Sequence, residues 1–281
     1  MRLFNTNAFI FLIVFLVSFT SCDNDNREAQ LQLSKVRELY NNKDYVTAKS
    51  ELDSLNIKFP KALEERKAGI ALLDSIRRAE NMQTIEVSDS LINVFQPQVN
   101  EKKKMFSFQR DKNYQETGSY VPKEMVSTHI TGTTLRSGVE ENGQLYLESV
   151  YIGGQRHNKI RISLKDGLFA ESLPVTDDGL NYRFTNMGKA YEIIRFTGAA
   201  ENNVAAFVFS NAEKMLTVTV DGQAKYSYTL TLQARTAIAK SYELSRMMLQ
   251  LDSLKTAKEK AEYHLYYLDN KDNKSMENAT E

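Results

Sequence analysis

Residues 158–172 read Asn-Lys-Ile-Arg-Ile-Ser-Leu-Lys-Asp-Gly-Leu-Phe-Ala-Glu-Ser. Ile160, Ile162 and Leu164 alternate with Arg161 and Ser163, the period of two that puts apolar side chains on one face of a strand. Asp166-Gly167 follows, and that dipeptide supplies the positive backbone angles of a tight hairpin. The same texture recurs on both sides. Leu180, Tyr182 and Phe184 alternate with Asn181 and Arg183, and Tyr226, Tyr228, Leu230 and Leu232 alternate with Ser227, Thr229 and Thr231. Asn142-Gly143 and Asp221-Gly222 fall between further runs, and Val204 to Phe209 is apolar on both faces, as in a central strand. Roughly eight short strands between Thr128 and Leu232, with no helical segment among them, predict an antiparallel sandwich or open barrel.

Outward from this region the period changes. From Arg27 to about Arg110 apolar residues follow helical spacing: Leu33, Val36, Leu39 and Tyr40, then a break at Asn41-Asn42-Lys43-Asp44, then Tyr45, Ala48, Leu52 and Leu55. Pro60 closes that pair, and a third helix carries Leu63, Ile70, Leu73 and Ile76. A fourth helical stretch, Val87 to Phe108, turns Val87, Leu91, Val94, Phe95, Val99 and Phe106 inward and contains Pro97, which predicts a kink or restart near Gln96. Beyond the strands, Leu244, Met247, Leu251, Leu254, Ala261, Leu265 and Leu268 form a heptad seam with Lys258 out of place. Such a seam needs a partner, and the economical one is the Val87 to Phe108 helix. The fold class is therefore α+β: helical hairpins and a helical stalk carrying an inserted β domain. The divisions are a signal segment at 1–21, a tether at 22–26, a helical region at 27–110, a linker at 111–127, the β domain at 128–233, the heptad helix at 234–268 and a polar, disordered tail at 269–281.

The start of the chain gives an address. Arg2 leads into the apolar run Ala8 to Val17, which is too short to span a bilayer and stops at Phe19-Thr20-Ser21-Cys22. Cys22 is the only cysteine, it stands where a lipoprotein signal needs its thiol, and no second cysteine exists for a disulfide. Phe19 occupies the position where leucine is usual. The reading is a lipid-anchored chain of the cell envelope, at the outer membrane and facing the periplasm or the surface; the plainer alternative is a secretory signal. With 36 basic and 36 acidic residues in balance, nothing points to nucleic acid.

The search for chemistry leaves little. His129, His157 and His264 lie far apart without metal-ligand spacing, so each is structural or on the surface. Asp177-Asp178-Gly179 reads better as a turn than as a calcium loop, and Gly153-Gly154-Gln155-Arg156 better as a hairpin loop than as a phosphate loop. Glu64-Glu65-Arg66-Lys67 and Lys102-Lys103-Lys104 read as solvated helix faces. No cofactor, metal or catalytic residue is assigned.

Residues Asp44 to Pro60 resemble a tetratricopeptide unit, with Tyr45 and Ala48 at the inter-helix contact, although Gln32 and Val36 replace the usual tryptophan and glycine and no second copy is convincing. Taken whole, the chain resembles a group of Bacteroidota envelope lipoproteins. The resemblance is carried by the order of parts and by Asp44-Tyr45-Val46-Thr47-Ala48-Lys49, Phe59-Pro60-Lys61, Glu65-Arg66-Lys67, Tyr151-Ile152-Gly153-Gly154 and Tyr242-Glu243-Leu244-Ser245-Arg246. It implies the localisation and architecture but transfers no site. In that setting Asp23 and Asp25 resemble either a surface-export signal or a merely polar tether. Ser54, Ser75, Ser90 and Ser253, each after Asp and before an apolar residue, resemble O-glycosylation acceptors or ordinary helix-surface serines. The functional expectation is a non-enzymatic, lipid-anchored scaffold that holds an envelope protein. The alternative is a carbohydrate- or small-ligand-binding β domain using aromatics such as Tyr146, Tyr151 and Phe169, and an envelope hydrolase comes third.

Overall fold

A computed structural model describes residues 20–113, 115–126, 130, 132–176 and 181–280, with side-chain surroundings given only between residues 25 and 271. The fold is α+β: among the described residues, ten strands in two antiparallel sheets lie in the chain between long helices. Two compact units divide it, one of residues up to 89 with 256–281, the other of residues 90–255.

The first unit is helical. Helix α1 (Thr20–Asn41) and helix α2 (Tyr45–Lys58) pack as a hairpin. Its core holds Leu33, Val36, Ala48, Leu52 and Leu55, joined by Leu39, Tyr40 and Tyr45, the stripes that the helical spacing marks. Lys43 turns the chain with φ 61°, and Asp44 caps α2 by accepting from the Thr47 amide at 3.2 Å. Helix α3 (Leu63–Lys103) adds Ile76 to this core, while Leu63 and Ile70 stand exposed. The last part of helix α5 (Leu232–Thr280) is tied to α3 by Lys258–Asp89 at 2.7 Å, Lys271–Asp74 at 2.6 Å and an Arg78–Asp269 pair. Lys258, out of place in the heptad, thus answers a carboxylate. Ala261 and Leu268 are buried, as the seam requires.

In the second unit, a six-stranded sheet runs in the order β1 (Phe106–Gln109), β2 (Ser119–Pro122), β3 (Thr134–Glu140), β4 (Leu145–Ile152), β8 (Lys189–Thr197), β7 (Tyr182–Asn186). A four-stranded sheet runs β10 (Tyr226–Thr229), β9 (Thr217–Gly222), β5 (His157–Ser163), β6 (Phe169–Glu171). Their inner faces share one core: Leu135, Leu147, Ile194 and Phe196 from the larger sheet, Ile160, Ile162, Val218 and Val220 from the smaller. Ile160 and Ile162 are the inward pair that the alternation marks, and each such side chain contributes about 1.5–3 kcal/mol by leaving water. A second cluster joins Ile92, Phe95 and Val99 of α3 to Leu244, Met248 and Leu251 of α5 over Phe106 and Val139.

Several expectations need correction. Residues 22–26 are helical, within α1, and α5 continues through the tail to Thr280. Neither stretch contains glycine or proline to stop a helix. The third and fourth helices are one. Pro97 costs α3 a single backbone donor, and Gln96 braces that turn by donating to Asn100 Oδ1 at 3.1 Å and accepting from Lys255 at 2.9 Å. Val87, Leu91 and Val94 are exposed, because apolar residues on this helix occupy two faces and the partner selects Ile92, Phe95 and Val99. Sheet structure begins at Phe106, inside the expected helix and linker, since Phe106 to Gln109 pair with Ser119 to Pro122. Val204 to Ser210 is a short helix, α4, because an apolar run of that length has no period to distinguish strand from helix. Leu232 opens α5 instead of ending a strand.

The turns show why the dipeptide alone is insufficient. Gly143 and Gly167 have φ near +90° and turn the β3–β4 and β5–β6 hairpins as expected. Gly222 does not turn. It lies in β9 opposite His157, where a Cβ would sit 2.4 Å from the Arg156 carbonyl oxygen, so glycine there permits close backbone approach. A turn through Met187 and Gly188, both at positive φ, joins β7 to β8.

Candidate functional site

The outer face of the six-stranded sheet carries a charged row. Register places Arg136 of β3 beside Glu148 of β4, and Glu148 beside Arg195 of β8. Glu148 Oε1 accepts from Arg195 Nε at 3.2 Å and Nη2 at 2.7 Å, and Glu140 accepts from Arg195 Nη1 at 2.9 Å. The Arg195 guanidinium also lies 4.0 Å from the centre of the Tyr146 ring. Tyr146 is seated over Gly138, where a Cβ would come within 2.3 Å of the phenol oxygen, so glycine at this strand position makes room for the ring. Burial raises the Tyr146 pKa above the usual phenol range, and burial likewise raises that of Glu140 despite Arg195. Above the row opens a cavity of ≈ 760 Å³, lined from the sheet by Ser119, Arg136, Tyr146, Glu148 and Arg195 and from the following chain by Arg110 and Lys112, among others.

The inner face of the same sheet carries a second polar group. Ser149 of β4 and Glu192 of β8 point between the sheets, where His157 of β5 meets both. His157 Nδ1 lies 2.6 Å from Glu192 Oε2 and its Nε2 lies 2.8 Å from Ser149 Oγ. The His157 amide donates to Glu192 Oε2 at 2.8 Å, and Arg183 Nε donates to Glu192 Oε1 at 2.6 Å. With a carboxylate facing Nδ1, the imidazole proton belongs there, and Nε2 accepts from the serine hydroxyl. Burial pushes the His157 pKa below its ordinary value; Glu192 opposes that shift and Arg183 adds to it. Serine, imidazole and carboxylate stand in the order of a nucleophilic triad, but Ser149 is 0% exposed, so a substrate carbonyl cannot reach its oxygen in this conformation. What the arrangement does is fasten one sheet to the other.

The aromatics singled out from the sequence are differently placed. Tyr146 is buried under Arg195, Tyr151 sits between His157 and Tyr226 at 5.7 Å from each, and the half-exposed Phe169 carries Arg161 at 3.9 Å from its centre. Ser54, Ser75, Ser90 and Ser253 all lie in helices; Ser54 is half-buried and the others are exposed. Cys22 belongs to α1, and its side chain lies outside the described surroundings, as do His129 and Asp177-Asp178-Gly179 altogether. His264 is exposed beside Tyr263. Lys102 is not solvated as expected: it pairs with Glu243, while Lys103 stands 4.4 Å from the Tyr120 ring centre. Among the described residues no three His, Cys, Asp or Glu side chains gather as a metal site would need, and no helix is long and apolar enough to cross a membrane.

No protein-family model matches the chain, and no curated protein is significantly similar to it. Sequence reading missed both polar groups. A charge at an inward position, Glu192 in Tyr191-Glu192-Ile193-Ile194, was the available signal, but its partners come from other strands.

Proposed function

We propose that this chain is a non-enzymatic envelope protein, anchored by lipid at Cys22 and akin to the Bacteroidota lipoproteins it resembles, that holds a protein partner on its helical unit. The supporting observation is a face of α5 where Tyr263, Tyr266 and Tyr267 are 67%, 66% and 62% exposed, opposite the buried Ala261 and Leu268. Exposed tyrosines at i, i+3 and i+4 give a helix large, rigid contact area with a polar edge, the composition favoured at interface centres. A photo-crosslinking residue at Tyr266 in intact cells should capture one discrete envelope protein; crosslinks no more frequent than from an exposed site on the β unit would end the scaffold reading. The anchor has its own test. Cys22→Ala should abolish fatty-acid labelling and release the protein from membranes, and unchanged membrane retention without the cysteine would end that part.

A second reading, a carbohydrate- or small-ligand-binding β unit, is favoured by one observation: the cavity beneath Arg110 and Lys112 on the outer sheet face.

A further inference from the structure

The cavity's charges do not cancel. Glu148 and Glu140 are both engaged by Arg195, which leaves Arg136 as the remaining guanidinium of the row. Arg136 donates Nη2 to the Met125 carbonyl at 3.0 Å, and among the described residues no carboxylate lies within ion-pair distance of it. Across the lining, Arg110, Lys112, Arg136 and Arg195 meet Asp111 and Glu148, and with Glu140 also bonded to Arg195 one positive charge is left over. A half-buried guanidinium with no ion-pair partner within reach, at a cavity with a cationic surplus, is poised for an anion, and its planar fork matches a carboxylate in particular. The uncharged polar part of the lining is amide and hydroxyl, from Gln109, Gln115, Ser119, Ser137 and Tyr146, with Phe108 and Val121 as its apolar part. The polar groups offer alternating donors and acceptors to hydroxyls and little to a hydrocarbon.

We propose that this cavity binds a sugar acid, a polyhydroxylated carboxylate whose anionic group is held by Arg136 while the amide and hydroxyl lining takes its hydroxyls. The proposal deepens the second reading above and rests on it. Lys112 and Arg110, both exposed, raise the local concentration of the anion and lend salt dependence.

Calorimetric titration of the full chain in detergent, with trimers of galacturonate, glucuronate and mannuronate and with their neutral methyl esters, tests this. At least one acid should bind, and its ester should bind about tenfold or more weakly, the usual worth of a charge-assisted contact. Arg136→Gln should lose about tenfold for the acid and leave the ester unchanged, with Arg136→Lys falling between them because it keeps the charge without the fork. Lys112→Gln, on the surface, should weaken the acid by a smaller factor and flatten its dependence on salt. Acid and ester binding equally would overturn the carboxylate proposal and leave a saccharide site standing; binding by none of the six would overturn both. Binding unaffected by either Arg136 variant, or stronger for a sugar phosphate than for every acid, would also overturn the assignment.

Discussion

The two faces of the six-stranded sheet hold polar groups of similar make-up and opposite completeness. Inside, Glu192 accepts from three donors, His157 is bonded through both ring nitrogens, and Arg183 answers the carboxylate. Outside, Glu148 and Glu140 both serve Arg195, and Arg136 is left to a backbone carbonyl. The difference separates two uses of charge. A buried group matched at every atom specifies how two sheets meet, whereas a group left over beside a cavity is available to something else.

The comparison breaks most easily at Glu192. Glu192→Gln removes the charge that answers Arg183 and turns an acceptor into a partial donor facing His157, so unfolding in urea should show a loss of about 3 kcal/mol or more. A loss below about 1 kcal/mol would mean that the inner group does not fasten the sheets. Leu251→Asp should cost a similar several kcal/mol, because it places an unpaired carboxylate among Val99, Phe106 and Leu244. A melting temperature near wild type would put that face of α5 in solvent.

Less costly, and sharper, is the pair of glycines. Gly222→Ala forces a methyl group against the Arg156 backbone and should destabilise by about 1–3 kcal/mol through overpacking. Gly167→Ala meets open space and suffers only its φ of +92°, so it should cost about 1 kcal/mol. Equal costs would mean that close approach at Gly222 is not what requires glycine.

These same residues show what could be read without coordinates. The α1–α2 stripes, the hairpins at Gly143 and Gly167 and the inward Ile160 and Ile162 depend on neighbours in sequence, and spacing revealed them. Gly222 reads as a third hairpin because Asp-Gly has the same local chemistry whether it turns or is crowded; the crowding comes from β5. Val204 to Ser210 and the exposed face of α3 are illegible for a related reason, since only a packing partner chooses between equally apolar alternatives. The candidate sites were least legible. Arg136, Glu148 and Arg195 lie on three strands, as do Ser149, His157 and Glu192, and single-sequence spacing carries no register between strands.

A further stability effect concerns pH. Because burial lowers the folded-state pKa of His157, the unfolded chain takes up its proton first as pH falls. Stability from this residue is therefore intact above the unfolded value of about 6.5 and declines below it, by at most about 1.4 kcal/mol per pH unit, until the folded value is reached. His157→Asn should flatten the wild-type slope just below pH 6.5. A slope unchanged by the substitution would assign it to other groups.

The most direct measurement sets the two faces against each other: urea unfolding of Arg136→Gln beside Glu192→Gln at neutral pH. Arg136→Gln should stay within about 1 kcal/mol of wild type, the worth of one hydrogen bond to a carbonyl, while Glu192→Gln loses about 3 kcal/mol or more. Equal losses, or a larger loss at Arg136, would contradict the division between a fastening inner group and an available outer one.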